Sequence, residues 1–151
     1  MSLALPRHIL VPHDFSDTAQ HALAYAIELA SKLGARITIV HAYEVPSYGY
    51  PDGLAINTDV AGSIRGAAAA ALEGVAAGAR RPGLEVQTLL REGTPWREII
   101  GASTDAHVDL IVVGTHGRHG LARALLGRVA EKIVRTSPCP VLTVHGPAPA
   151  A

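Results

Sequence analysis

Apolar residues along this chain follow two rhythms in turn. His8-Ile9-Leu10-Val11 is a short apolar run, stopped by Pro12. Ala19, Leu23, Ile27 and Ala30 then recur at helical spacing, and Gly34 closes that stretch. A short continuous run reads as a buried strand; a 3.6-residue repeat reads as a helix with one face on a core. The same reading along the chain predicts strands near residues 7–12, 36–42, 84–91, 109–114 and 140–145, with four main helices between them. Asp14 to Asp17 offers helix-starting side chains, and Ser16 is the best N-cap among them. Thr58 can cap a second helix, Thr94-Pro95 opens a third, and the last runs from Gly127 to Thr136. Glu44 to Asn57 is rich in proline, glycine and tyrosine and reads as a long loop.

The second helix has an apolar stripe of Val60, Ile64, Ala68, Leu72, Val75 and Ala79. Gly62, Gly66, Gly74 and Gly78 interrupt it, each costing up to about 1 kcal/mol against alanine. Packing must therefore hold this helix. The fourth strand is apolar throughout except at Asp109.

Strands that alternate with helices build a parallel sheet covered on both faces, with right-handed crossovers. The expected fold is α/β, a single doubly wound five-stranded parallel sheet. In such sheets ligands bind beyond the carboxyl ends of the strands, where the strand order reverses. Those ends here are Pro12-His13-Asp14, His41-Ala42-Tyr43 and Gly114-Thr115-His116-Gly117.

A chain of 151 residues fits one domain, and 48% hydrophobic residues supply its core. The tail from Pro147 to Ala151 is small, proline-rich and expected to fray. A formal net charge of +0 leaves no electrostatic footprint for nucleic acid or an anionic membrane. The longest apolar runs, such as Leu110 to Val113, fall far short of the roughly 20 residues of a membrane-spanning helix. No signal-peptide pattern opens the sequence, and its single cysteine, Cys139, allows no intrachain disulfide. The expected location is cytoplasmic.

The stretch richest in chemical meaning is Gly114-Thr115-His116-Gly117-Arg118-His119-Gly120, followed after Leu126 by Gly127-Arg128-Val129. Glycine after a strand lets backbone approach a ligand, and a helix start at Gly127 favours anions. Two such surfaces could cradle a di- or triphosphate. The glycines could equally do no more than make tight turns. The P-loop pattern is absent, and so is Gly-x-Gly-x-x-Gly after the first strand.

Gly114-x2-Gly117-x9-Gly127 resembles the nucleotide-binding motif of the universal stress protein family. The opening His8-Ile-Leu-Val-Pro-His-Asp-Phe-Ser is similar to that family's first strand and its aspartate, and Val108 to Gly114 and Val129 to Leu142 resemble its closing half. The resemblance runs from about Pro6 to His145. It implies strand order 3-2-1-4-5, one domain over 1–151 with its core at about 6–145, and a homodimer through the last strand, Val141, Leu142, Thr143 and Val144. It also implies an adenine-nucleotide site that takes ATP or AMP, with magnesium accompanying ATP. The residue matching Asp14 would contact the adenosine part and backbone near Ala42 the adenine. Gly114, Gly117 and Gly127 would line ribose and phosphates. The full set of expected ligand contacts is Pro12, His13, Asp14, Ala42, Gly114, Thr115, His116, Gly117, Gly127, Arg128 and Val129. The family has Ser or Thr where this chain has Arg128. An arginine folded across the cleft, paired with Asp14 or Glu131, would lower triphosphate affinity, and this pose is the one expected. An arginine swung outward would grip phosphate from the rim.

The resemblance implies a stress-response regulator rather than a dedicated catalyst. A nucleotide-free dimeric adaptor and a nucleotide-alpha hydrolase-like enzyme are the alternatives. His13, His41, His116 and His119 fall at or near strand ends, but no spacing matches a known metal site, and polar contact with ligand or solvent is the expected role. Ser16, Ser103 and Ser137 sit in no nucleophile-elbow pattern. Cys139 reads as a small buried hydrophobe. Arg118 and Arg123 read equally as phosphate contacts or as solvated surface.

Overall fold

A computed structural model describes residues 4–46, 58–116 and 126–146. In chain order the elements are β1 (His8–Pro12), α1 (Asp17–Leu33), β2 (Arg36–Tyr43), α2 (Thr58–Ala79), β3 (Val86–Glu92), α3 (Pro95–Asp105), β4 (Leu110–Gly114), α4 (Arg128–Thr136) and β5 (Val141–Val144). The five strands form one sheet in the order β3-β2-β1-β4-β5, and every pairing is parallel.

Strand alternation sends successive side chains to opposite faces. Ile9, Val11, Ile37, Ile39 and Val112 pack with Leu23 and Ile27 of α1 and Leu72 of α2. Leu10, Val40, Ile111 and Val113 pack on the other face with Ile99 of α3 and Ile133 of α4. Both faces are therefore covered, and β1 is buried at every position.

Local chemistry sets the joints. Ser16 accepts the Ala19 N–H and caps α1, and Gly34 ends that helix in the left-handed region at φ 69°. Asp109, the polar residue in an apolar stretch, accepts the backbone N–H groups of Arg7 and His8, both at 2.9 Å. It ties the entry of β1 to the entry of β4.

Several boundaries differ from the sequence reading. β3 begins at Val86 rather than Leu84, because Arg81 and Leu84 close an antiparallel bridge across the Pro82-Gly83 turn. Thr58 is the first residue of α2, and Gly127 caps α4 rather than opening it. Of the α2 stripe only Leu72 and Ala79 are buried, joined by Ala76, while Val60 is 51% exposed. A Cβ at Gly62, Gly66, Gly74 or Gly78 would meet nothing within 4 Å, and nothing in the structure explains these glycines. The loop at 47–57 and the tail at 147–151 lie outside the described residues.

Candidate functional site

In the order 3-2-1-4-5 the strand order reverses between β1 and β4. The carboxyl ends of these strands part there, and a cavity of about 390 Å³ opens between them. That volume lies in the range of small-molecule sites. One wall is the β1 end, Pro12 to Asp14, and the next is Val40 to Ala42 on β2. Pro95 and Ile99 of α3 close one side, Val113 to His116 form the floor, and Gly127 to Ala130 complete it at the start of α4.

The walls divide by chemistry. Val40, Ala42, Pro95, Ile99 and Val129 offer apolar surface suited to a flat base. Gly127 and Arg128 bring the start of α4, where unpaired N–H groups and the helix dipole favour an anion. The Gly127 N–H donates to the Thr115 carbonyl, which fixes this helix start on the end of β4. The Thr115 N–H donates in turn to Val144 on β5 at 3.0 Å.

Gly114 is the last residue of β4, and its lack of a side chain has a packing reason. A Cβ there would lie 2.8 Å from Thr18 Cγ2 and 3.1 Å from the Thr18 carbonyl oxygen. The close approach required of this glycine is therefore to α1.

The β1 end is a tight turn of interlocked polar groups. The Phe15 N–H donates to His13 Nδ1 at 3.0 Å, and His13 Nε2–H donates to Gln20 Oε1 at 3.2 Å. His41 Nδ1–H donates to the His13 carbonyl at 2.7 Å. The Asp14 carboxylate accepts the Ser16 N–H at 3.0 Å and the Ser16 hydroxyl. Burial pushes the pKa of His13 below its ordinary value; the Gln20 bond and the Asp14 charge pull it partly back.

The model of the universal stress protein family matches residues 6–145. The chain belongs to the universal stress protein family. A universal stress protein of Thermus aquaticus is 39% identical over 142 residues, 91% of this chain and 97% of its own. One from Methanocaldococcus jannaschii is 33% identical over 144 residues, 95% of this chain and 84% of its own. Among solved structures, another protein of the latter organism superposes with a TM-score of 0.82 at 26% identity, over 94% of this chain and 97% of its own. Two more distant structures share the universal stress protein fold. One, from Archaeoglobus fulgidus, is a complex with dAMP (TM-score 0.65, 22% identity, 91% of this chain and 96% of its own). The other is a complex with cAMP (TM-score 0.61, 24% identity, 95% of this chain and all of its own).

Ten residues expected from the sequence line the cavity together: Pro12, His13, Asp14, Ala42, Gly114, Thr115, His116, Gly127, Arg128 and Val129. Gly117 lies outside the described residues, as do Arg118, His119 and Arg123. The sequence reading missed Ala19, Val40, Pro95, Ile99, Val113 and Ala130 as parts of the wall. Pro95 had a signal, since it follows β3 at the carboxyl side of the sheet.

The expected pairing of Arg128 with Glu131 is not formed: Glu131 pairs with Arg135 at 2.9 Å, and Arg128, at the first position of α4, is exposed where it lines the cavity. Asp14 lines the cavity and its carboxylate braces Ser16, and Ser16 rather than Asp14 caps α1.

The serine hydroxyls are committed locally. Ser103 donates to the Ile100 carbonyl, Ser137 to the Cys139 carbonyl, and Ser16 to Asp14. Cys139 is half-buried against the core beneath α3 and α4 rather than fully buried. Among the described residues no group of three His, Cys, Asp or Glu could hold a metal ion, and no helix is long and apolar enough to cross a membrane.

Proposed function

We propose that this chain binds an adenine nucleotide of the ATP or AMP class in the cleft at the ends of β1 and β4, and acts as a homodimeric regulator in the stress response. The observation that carries this reading is the cavity itself. Its base-sized apolar wall lies beside an anion-favouring helix start, and ten of the expected contacts converge on it. Adenine would lie against Val40, Ala42 and Ile99, with Asp14 accepting hydrogen bonds from the adenosine part. The phosphates would meet the start of α4 and the guanidinium of Arg128. Magnesium would arrive bound to the phosphates of ATP. The relatives solved with cAMP and dAMP support an adenine-type ligand.

Homodimerisation would run through β5. This strand pairs with β4 on one side, and its four residues are all half-buried. A second copy laying the same strand alongside would pair the open edge and remove an aggregation hazard. The site of action on this reading is the cytoplasm.

One observation favours a second reading. Arg128 stands where the resemblance calls for a small hydroxyl, which suits a dimeric adaptor of the same fold that holds no nucleotide. Native mass spectrometry of the purified protein separates the two. An adenine nucleotide retained by the folded chain supports the binding reading. A chain that retains none and takes up none at millimolar ATP or AMP supports the adaptor.

A further inference from the structure

The state of His13 is fixed by its neighbours. It is 4% exposed at the end of β1. Its Nδ1 accepts the Phe15 N–H, so that nitrogen carries no proton, and the ring proton sits on Nε2 facing Gln20 Oε1. Phe15 has φ 66°, a left-handed backbone that bulky side chains avoid. Two things hold it there: the bond to Nδ1, and packing of its ring 5.6 Å from the His13 ring and 4.4 Å from the His41 ring. Asp14 lies between these two anchored residues, on the cleft wall.

We propose that His13 is the positioning residue of the cleft: its unprotonated Nδ1 holds Phe15 in the left-handed turn that carries Asp14 on the wall, so that a proton on this ring loosens the turn, shifts Asp14 and weakens the ligand's hold. The effect on ligand rests on the adenine-nucleotide reading above; the effect on the turn does not. A protonated imidazole carries N–H at both nitrogens. Nδ1 would then present a donor to the Phe15 donor, and the bond that holds the strained residue is lost.

The surroundings decide where the switch acts. Burial opposes the proton most strongly, and His41 on β2 adds to that; Gln20 on α1 and the Asp14 carboxylate favour it. His116 at the end of β4 and Arg128 on α4 line the same cavity, and Arg128 adds a positive charge to it. The ring is thus neutral near neutral pH. Affinity is full above the His13 pKa and falls as pH drops through it, and bound ligand lowers that pKa further.

Two measurements test this. In the ligand-free protein, NMR follows the His13 ring and the Phe15 amide across pH. The Phe15 amide should move with the His13 midpoint, and in His13→Asn, whose side-chain oxygen can still accept from Phe15 but does not titrate, that movement should vanish. A Phe15 amide that stays put while His13 titrates overturns the proposal, on wild-type protein alone if the variant does not fold. The second measurement is adenosine affinity, because adenosine has no group that titrates where histidine does. Wild-type affinity should fall by up to about tenfold per pH unit below the midpoint. His13→Asn should show no such slope, and His13→Ala should bind about tenfold more weakly at neutral pH. Wild-type binding independent of pH overturns the ligand half. No binding of adenosine, AMP or ATP at any pH, with the Phe15 amide still tracking His13, sinks the nucleotide reading and leaves the positioning role standing.

Discussion

Gly114 at the end of β4 lies so close to Thr18 of α1 that a Cβ would come within 2.8 Å of Thr18 Cγ2. The Thr18 carbonyl oxygen at 3.1 Å stands behind that methyl. Neither can retreat easily, since threonine is stiff at its β-carbon and the carbonyl belongs to the first turn of a helix packed on the sheet. Gly114→Ala should therefore destabilise the protein by about 1–3 kcal/mol, the usual cost of overpacking. Thr18→Ala in the same chain should recover part of that loss. Denaturant unfolding of the two single variants and the double variant checks both statements. An additive cycle would contradict the contact.

Acid should weaken the fold. Burial and the nearby Arg36 charge hold His8 below its ordinary pKa, and burial holds His13 there too. In the unfolded chain both return to about 6.5. As pH falls through that value, the unfolded chain takes up protons first, so stability drops until the folded pKa values are passed. The melting temperature should fall between about pH 7 and pH 5, and His8→Gln should flatten part of the slope. A melting temperature that rises over that range would contradict the assignment of two neutral buried histidines.

Much of the fold was legible because its signals are local. β1, β4 and β5 are short, mainly apolar runs, and Ser16, Gly34 and Pro95 mark helix ends by their own chemistry. Asp109 stood out as the polar residue of an apolar stretch, but its partners, the N–H groups of Arg7 and His8, lie about a hundred residues away, and no pattern points to them. The site was legible where it sits on strand ends, since a positional rule places those. Ile99 and Ala19 escaped notice because a helix reveals its stripe, not the cleft that its first turn borders. Gly114 does permit a close approach, and the approach seen in the fold is to Thr18. The left-handed Phe15 left no trace, since nothing in its neighbours requires φ 66° until His13 is placed beside it.

Arg128 should act as a clamp at the rim. It is exposed at the first position of α4, on the wall of the cleft. A guanidinium there can donate charge-assisted bonds to outer phosphates. Arg128→Ser should weaken ATP about tenfold, one such bond, and weaken AMP less. Calorimetric comparison of the two ligands checks this. If serine tightens ATP more than AMP, the arginine blocks the phosphates instead.

The β5 edge has its own test. In a parallel strand the N–H and C=O of one residue point to the same side. The carbonyls of Pro140 and Val144 accept from β4, so the N–H groups of Val141 and Thr143 point to the open edge. Thr143→Pro removes an outward donor while sparing the β4 ladder. Sedimentation should show a dimer for the wild type and a monomer for this variant at micromolar concentration. A wild-type monomer, or a variant that dimerises equally well, would contradict pairing through β5.

The most direct test of the nucleotide cleft is calorimetric titration with ATP, ADP and AMP, with and without magnesium, on the wild type and on Ala42→Trp. Ala42 lines the cavity at the end of β2, and an indole there would fill the space assigned to the base. The account predicts saturable binding of adenine nucleotide at one per chain in the wild type, and none in a folded Ala42→Trp. Absence of binding in the wild type, or equal binding by the filled variant, would contradict it.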